Sequence, residues 1–286
     1  MMAERPAQII AVLGATGLQG GAVARRLLNE GWHVRALTRS PDHKKARSVA
    51  ALGAEVVQAD MNHPGSLERA FDGAYGVFNV QNHHISGYDG ELVQGRNVTN
   101  AALRMRVRHV VYGAAGLGTK GSGVGSWDVK EEIAEYMGDR GLPVTILRPM
   151  AFMELMTASK FFPAASTWHV MPKLMGAVRP VGWLAVDDLA VIAAKVFGDP
   201  DRFIGRDLTL VADVRSIDEC RNVWGEVMGR APRRFPMPVR LFERFVGTDE
   251  TTMWRWLRSN EIDLDTQPTL ALHPEALSVH AWLSPH

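Results

Sequence analysis

Three glycines near the start of the chain have the spacing of a loop that binds phosphate groups. Gly14, Gly17 and Gly20 are each separated by two residues, and they directly follow the apolar segment Ile10–Leu13. In such a loop the first glycine permits a tight turn, the second lets the backbone approach a pyrophosphate, and the third allows close helix–strand packing. The N-terminus of the following helix supplies free amides and a partial positive charge. The spacing therefore predicts a dinucleotide site.

The residues that follow the second predicted strand indicate which dinucleotide is preferred. A site for NAD normally has Asp or Glu about 20 residues beyond the glycines, where it holds the ribose 2′-hydroxyl. Here the segment 36–40 reads Ala-Leu-Thr-Arg-Ser and contains no acid. Arg39 is planar and permanently charged, which suits a 2′-phosphate, whereas the alternative is a solvated loop residue. Lys44 and Lys45 follow closely and could add charge, so the sequence favours NADP(H).

Asp60 lies at the end of the third predicted strand and has two possible roles. Its carboxylate could accept a hydrogen bond from the adenine amino group. It could equally cap the helix that is predicted to start near Pro64. Both interpretations stay open at the level of sequence.

The elements that must position these residues alternate regularly from Gln8 to about Arg148. Short β-branched segments are separated by segments of helical length, which predicts a parallel sheet covered on both faces. The predicted strands are Gln8–Leu13, His33–Thr38, Glu55–Gln58, Gly76–Val80, His109–Gly113 and Val144–Leu147. The predicted helices are Gly20–Asn29, Asp42–Leu52, Pro64–Phe71, Tyr88–Met105 and Asp128–Arg140. We therefore expect an α/β fold of the Rossmann type, with a doubly wound parallel sheet and ligands at the carboxyl ends of its strands.

The second half of the chain has a different pattern, in which Met, Phe, Trp, Pro and Gly interrupt any regular alternation. We predict residues 1–149 to form the dinucleotide-binding domain, with further sheet elements contributed from later segments. Residues 150–286 are predicted to form a smaller mixed C-terminal lobe for substrate or partner. The elements predicted there are helices Asp187–Phe197, Ser216–Met228 and Pro274–Trp282 and a strand Asp207–Val211, with Ser216 and Glu219 forming a capping box.

Composition narrows the class of protein. The 32 Lys and Arg residues nearly balance 31 Asp and Glu, so the chain lacks the basic excess of a dedicated nucleic-acid binder. The single cysteine, Cys220, excludes an intramolecular disulfide and a cysteine zinc cluster. No apolar stretch approaches the length of about 20 residues that a membrane span needs. We expect a cytoplasmic protein with no metal, membrane or nucleic-acid partner, present as a monomer or a homodimer.

Several later segments, together with the glycine loop and Arg39, resemble the NmrA-like family of atypical short-chain dehydrogenases. They are Lys130–Tyr136, Leu147-Arg148-Pro149 and Leu272–Leu277. The resemblance spans nearly the whole chain. That family includes NADP-binding redox sensors that regulate partners, NADPH-dependent quinone reductases and phenolic-ether reductases. The resemblance thus implies the cofactor NADP(H), and either a reductase or a sensor.

The resemblance also implies a position for each part of the cofactor. The pyrophosphate would lie on the loop that starts at Gly14, and the 2′-phosphate on Arg39. Asp60 and Met61 would flank adenine, and Lys130 would reach the nicotinamide ribose. The remaining residues implied by the resemblance are Ala15, Thr16, Gly17, Leu18 and Gln19 at the pyrophosphate, Gln81, Asn82 and His83 beside the nicotinamide ribose, and Ala151, Phe152, Met153 and Glu154 over the nicotinamide. Gly20 completes the cofactor-binding loop by letting the helix pack closely on the strand.

The usual proton relay of short-chain dehydrogenases is missing from this sequence. That relay needs a tyrosine four residues before a lysine, and none of the four tyrosines has this spacing. Ser126 occupies the position four residues before Lys130, and the fifth strand ends in Gly113-Ala114-Ala115, where a hydroxyl is usual. Reduction of an isolated ketone needs a positioned acid. A quinone gives a stabilised phenolate instead, so hydride delivery alone can suffice.

The remaining candidates for a catalytic role are Lys130 and His83, with His84 beside it. Lys130 could act electrostatically or as a proton donor, or be a solvated residue of the first helical turn. The two histidines could join the site or form a surface pair. The Met-rich and aromatic segment Phe152–Trp183 could line a pocket for a small, flat, apolar substrate or simply form core.

The sequence therefore supports two main hypotheses. The first is an NADPH-dependent oxidoreductase that reduces a quinone-like or conjugated carbonyl compound without the tyrosine–lysine relay. The second is a non-catalytic NADP(H) sensor that regulates a protein partner. A nucleic-acid-associated regulator is disfavoured by the balanced charge.

Overall fold

The computed structural model describes residues 8–118 and 120–284, and the chain divides into two compact units. The first unit contains the described residues of Met1–Gly118, Val129–Arg148 and Leu189–Leu208. The second contains those of Thr119–Asp128, Pro149–Asp188 and Thr209–His286. Each unit therefore draws on more than one segment of the chain.

A seven-stranded sheet forms the centre of the first unit, with the order β3-β2-β1-β4-β5-β6-β9. Strands β1 to β6 are paired in parallel. The order of the strands reverses between β1 and β4, and such a switch point leaves a crevice at the carboxyl ends of the strands. The strands are β1 Ile9–Val12, β2 His33–Thr38, β3 Glu55–Gln58, β4 Gly76–Asn79, β5 His109–Gly113, β6 Val144–Pro149 and β9 Asp207–Leu210.

Neighbouring residues on a strand point to opposite faces of the sheet, and helices cover both of these faces. Ala11 belongs to a buried cluster with α3, α4 and α5. Ile10 points to the other face, where its side chain and that of Phe197 both crowd the position of Gly76. The helices that cover the sheet are α1 Leu18–Asn29, α2 Lys44–Ala50, α3 Pro64–Phe71, α4 His83–Arg104, α5 Gly125–Asp139, α7 Val186–Gly198 and the short α8 Pro200–Phe203. The predicted doubly wound α/β fold is confirmed.

The second unit contains a smaller mixed sheet and its own apolar core. Strand β8 pairs in parallel with β7 and antiparallel with β10. Met and Trp side chains of the segment Phe152–Trp183 are buried in this core, including Trp168 and Trp183. Packing is thus the role that the structure gives them. The elements are β7 Ala151–Phe152, β8 Pro180–Leu184, β10 Asp213–Ser216, α6 Met171–Met175, α9 Ile217–Met228, α10 Val239–Val246, α11 Asp249–Ser259, α12 Gln267–Leu272 and α13 Val279–Leu283, with 3₁₀ turns at Met153–Met156 and Ser159–Phe161 and a π turn at Ser166–Val170.

Two predicted helices need correction. The helix expected at Tyr88–Met105 begins earlier, at His83, and is kinked at Gly87, whose φ of 71° is left-handed. The helix expected over Pro274–Trp282 is wrong in its first half, since only Val279–Leu283 is helical. There the carboxylate of Asp188 accepts a hydrogen bond from the Leu277 amide, which holds the chain in an irregular turn. The predicted capping box at Ser216 is present.

Candidate functional site

The glycine loop connects β1 to α1 with a backbone that only glycine tolerates at two positions. Gly14 has a φ of +65°, in the left-handed region. A Cβ atom on Gly20 would lie 2.5 Å from the Leu13 carbonyl oxygen and equally close to the Gly14 carbonyl. Gly17 is the N-cap of α1 and has no side chain to bond the first amides of the helix. Those amides have no carbonyl one turn earlier, so they are available to an anion.

Buried polar atoms without a hydrogen-bond partner cluster at the carboxyl ends of β4 and β5. Within the described ranges, Gln19 Oε1, Asn79 Nδ2 and Gln81 Oε1 have none. The Gln19 oxygen lies over the end of β5, 3.1 Å from where a Cβ atom on Gly113 would be. An unmade buried hydrogen bond costs about 1–3 kcal/mol, so these atoms fit a polar ligand. The carboxamide and hydroxyl groups of a dinucleotide have the right chemistry.

Arg39 and Asp60 line one cavity of about 600 Å³ at the carboxyl ends of β2 and β3. The structure therefore brings together the two residues that sequence reasoning connected with the adenosine half of a cofactor. Arg69 lines the same cavity, and sequence reasoning missed it. Nothing in the sequence pattern singles it out, because a basic residue in the last turn of a helix is ordinary.

Asp60 does not cap the following helix. The N-cap of α3 is His63, and it makes no side-chain capping hydrogen bond. Asp60 Oδ1 instead accepts hydrogen bonds from the backbone and side-chain nitrogens of Asn62, at 2.9 and 3.0 Å. Asp60 thereby stabilises the turn between β3 and α3. Its neighbour Met61 is held by Asn97, whose Nδ2 donates to the Met61 carbonyl at 2.9 Å.

Lys130 is buried and paired with a carboxylate that sequence reasoning missed. Its Nζ lies 2.5 Å from Glu91 Oε1 and 3.3 Å from the carbonyl oxygen of Gln81. Glu91 is fully buried on the inner face of α4. The sequence did contain one signal, since Glu91 lies on the same face of the helix as the buried residues Gly95 and Val98. An acidic residue on a buried face is rarely found unless it is paired.

The predicted residues after the fourth strand gather around this pair. Gln81 is buried, and its Nε2 donates to Asn79 Oδ1 and to the sulfur of Met61 at 3.7 Å. Asn82 is the N-cap of α4, where its Oδ1 accepts from the His84 amide at 3.0 Å. The His83 Nδ1 lies 3.7 Å from Glu91 Oε2. Lys130, Gln81 and His83 are therefore neighbours, as their expected roles require.

His83 also packs against two aromatic neighbours. Its ring centroid is 4.0 Å from that of His84 and 5.3 Å from that of Tyr88. Both neighbours are more open to solvent than His83, whose side chain is 15% exposed. His83 thus lies between the solvent and the buried Glu91 carboxylate.

One tyrosine of the sheet is not placed as an acid. Tyr112 on β5 is fully buried. Burial raises the pKa of its hydroxyl well above the ordinary value, and the Glu91 carboxylate raises it further. A phenol with a raised pKa and no exposure is a poor proton donor to a substrate. Tyr112 is therefore not placed to act as the tyrosine of a tyrosine–lysine relay.

The buried Arg148 ties the end of β6 to its surroundings. Its guanidinium pairs with Glu131 at 2.7 Å and with Asp207 at 2.8 Å, and it donates to the Ala115 carbonyl at 3.0 Å. These carboxylates hold the pKa of Arg148 above its ordinary value against the opposing effect of burial. The motif Leu147-Arg148-Pro149 therefore has a structural role here.

The residues expected over the nicotinamide lie in the second unit. Ala151 and Phe152 form β7, and Met153 is fully buried. The Glu154 carboxylate accepts from the Val186 amide at 3.2 and 3.3 Å, which caps the start of α7. Burial raises the pKa of Glu154. A cofactor role for these four residues stays a prediction.

Two other kinds of site are absent from the described residues. Residues 8–118 and 120–284 contain no group of three or more His, Cys, Asp or Glu side chains arranged to hold a metal ion. Over the same ranges, none of the helices is both long and apolar enough to span a membrane.

Comparison with known proteins identifies a matching family and a similar protein that is named as an oxidoreductase. The model of the NmrA-like family matches residues 6–269. A relative from Cladobotryum sp., the NmrA-like family domain-containing oxidoreductase FrzB, is 31% identical over 80% of this chain and 76% of its own length.

Two solved structures share the fold. One is NmrA, a negative transcriptional regulator, in complex with NADP, with a TM-score of 0.77 at 17% identity over 98% of this chain and 95% of its own. The other is the Escherichia coli NADPH-dependent quinone oxidoreductase QOR2 complexed with NADPH, with a TM-score of 0.73 at 20% identity over 96% of this chain and 98% of its own. A fold shared at this identity is thus compatible with both a regulator and a reductase.

Proposed function

The chain belongs to the NmrA-like family, and from this membership we propose that it is an NADPH-dependent oxidoreductase that reduces a quinone-like or conjugated carbonyl compound. The observation that carries the cofactor proposal is the loop at Gly14–Gly20, where a Cβ atom at Gly20 has no room. The unpartnered polar atoms of Asn79 and Gln81, in the part of the chain described, support the same assignment.

The residues of the first unit divide the work of binding. The amides at the start of α1 would bind the pyrophosphate, and Arg39 the 2′-phosphate. Gln81 and Lys130 would hold the nicotinamide ribose, because they share a hydrogen bond at the carboxyl end of β4. When bound, NADPH supplies a hydride from its nicotinamide ring.

The proposed preference for a conjugated acceptor rests on the tyrosine–lysine spacing that the sequence lacks. Tyr112 is buried with a raised pKa, and the ammonium of Lys130 is already paired with Glu91. Neither of these two groups is therefore placed to protonate an alkoxide that forms from an isolated ketone. The phenolate of a reduced quinone is stabilised by resonance, so it can leave and take its proton from water. The Escherichia coli protein with the same fold is itself a quinone oxidoreductase, which is in keeping with this chemistry.

Consumption of NADPH in the presence of a panel of quinones and isolated ketones tests this function. We expect oxidation of NADPH with at least one quinone and little or none with the ketones. Brisk turnover of an isolated ketone would show that a proton donor is present after all.

A second candidate is an NADP(H) sensor that regulates a protein partner. The pairing of Lys130 with Glu91 favours it, because an ammonium held by a buried carboxylate can organise a binding site without taking part in chemistry. Tight binding of NADPH without turnover of any acceptor in the same panel would select this candidate.

A further inference from the structure

Two arginines that are distant in sequence face the same cavity. Arg39 follows β2, and Arg69 lies in the last turn of α3. The cavity of about 600 Å³ between them is lined by Arg39, Gln58, Ala59, Asp60, His63, Pro64, Gly65, Ser66 and Arg69. Two guanidiniums and one carboxylate therefore give its walls an excess of positive charge.

Neither guanidinium has an ion-pair or hydrogen-bond partner within residues 8–118 and 120–284. Two other arginines of the first unit are engaged. Arg35 pairs with Glu55 at 3.0 Å and donates to two carbonyls, and Arg104 pairs with Glu68 at 2.5 Å. Arg39 and Arg69 thus differ from these in offering their full donor sets to a ligand in the cavity.

The one carboxylate among the lining residues is used by its own loop. Asp60 Oδ1 accepts both hydrogen bonds from Asn62, and Asp60 Oδ2 lies 3.6 Å from His63 Nδ1. Asp60 is therefore not presented like the acid that reads ribose hydroxyls in NAD sites. The cavity therefore offers an anion the N–H donors of two guanidinium groups.

We propose that Arg69 and Arg39 together hold the 2′-phosphate of NADP(H), which makes Arg69 a second determinant of cofactor preference. This inference rests on the proposed binding of NADP(H). Guanidinium–phosphate pairs form charge-assisted and often bidentate hydrogen bonds, and two such pairs bind a phosphate more tightly than one. A 2′-hydroxyl carries no charge, so Arg69 contributes to NADPH affinity and not to NADH affinity.

The test uses two nucleotides that contain only the adenosine half of the cofactor. Calorimetric titration with 2′,5′-ADP and with 5′-ADP measures what the 2′-phosphate adds. We expect Arg69→Ala to weaken 2′,5′-ADP about tenfold, which is one charge-assisted contact of about 1.4 kcal/mol, and to leave 5′-ADP within about twofold. Arg69→Lys, which keeps the charge and loses the fork, should fall between.

Two further variants make the result specific. Arg47→Ala removes an exposed arginine of α2 that does not line the cavity, and it should change neither affinity. Arg39→Ala combined with Arg69→Ala should abolish the difference between the two nucleotides. Thermal unfolding of each variant checks that the fold is intact.

The possible results distinguish a failure of the role of Arg69 from a failure of NADP(H) binding itself. If Arg39→Ala lowers the preference for 2′,5′-ADP and Arg69→Ala leaves it at the wild-type value, the role of Arg69 is refuted and NADP(H) binding stands. If the wild-type protein binds neither nucleotide nor NADPH, the proposed function fails and the role of Arg69 fails with it.

Discussion

The Nζ atom of Lys130 lies 2.5 Å from Oε1 of Glu91, and both side chains are almost completely buried. Glu91 comes from the inner face of α4 and Lys130 from α5, so the pair joins two helices that cover the same face of the sheet. The same ammonium donates to the Gln81 carbonyl at the carboxyl end of β4. Glu91 therefore holds the ammonium group of Lys130 in place and is a positioning residue.

Glu91→Gln is expected to destabilise the protein strongly, because it leaves the buried ammonium of Lys130 without a counter-charge. Removal of one partner of a buried ion pair typically costs about 3–5 kcal/mol. Urea unfolding followed by circular dichroism measures the change. Glu91→Gln combined with Lys130→Met should regain much of the loss, since no unpaired charge stays buried. A single variant as stable as the wild type would mean that the pair is open to water.

Gly20→Ala is expected to abolish dinucleotide binding and to lower stability. Its Cβ atom would lie 2.5 Å from main-chain atoms of Leu13 and Gly14, and backbone cannot yield as a flexible side chain can. Gly138→Ala in α5 is the matched control, since nothing lies within 4 Å of its Cβ position. Its removal of a helical glycine should be neutral or stabilising by up to about 1 kcal/mol. Wild-type affinity for NADPH in Gly20→Ala would contradict the close packing of α1.

Stability is expected to fall between pH 6.5 and 4 through His109. Its Nε2 bonds Thr145 Oγ1 at 2.8 Å, and burial lowers the pKa of the imidazole to about 4. In the unfolded chain the pKa is about 6.5, so between these values the unfolded state binds the extra proton and the folded state does not. The contribution is fully present above about pH 6.5 and is lost as the pH falls, on the order of 3 kcal/mol in total.

The free energy of unfolding as a function of pH, measured for the wild type and His109→Gln, checks this assignment. The variant should lose most of the slope in that window. His63→Gln serves as the control, because the side chain of His63 is 76% exposed and its removal should leave the slope unchanged. An unaltered slope in His109→Gln would assign the effect to other groups.

Much of the first unit could be predicted from the sequence because its signals are local. Strands such as His33–Thr38 and Glu55–Gln58 coincide with their predicted bounds, since β-branched apolar segments between turn residues are distinctive. The glycine spacing and Arg39 likewise lie within one supersecondary unit. These features need no knowledge of distant contacts.

The features that sequence reasoning missed depend on contacts between distant segments. Glu91 and Lys130 are 39 residues apart, and Arg39 and Arg69 meet at one cavity only through the pairing of β2 with β3. The irregular turn before Val279 depends on the Asp188 carboxylate, 89 residues from the amide of Leu277 that it accepts from. Periodicity carries no information on such pairs.

The central claim is tested most directly by the affinities of the protein for NADPH and for NADH, with tryptophan fluorescence as the readout of binding. The chain has eight tryptophans to report binding. We predict that NADPH binds at least about tenfold more tightly, a difference of about 1.4 kcal/mol, and that Arg39→Ala weakens NADPH while leaving NADH nearly unchanged. Equal affinities of the wild-type protein for the two cofactors, or no binding of either, would contradict the account.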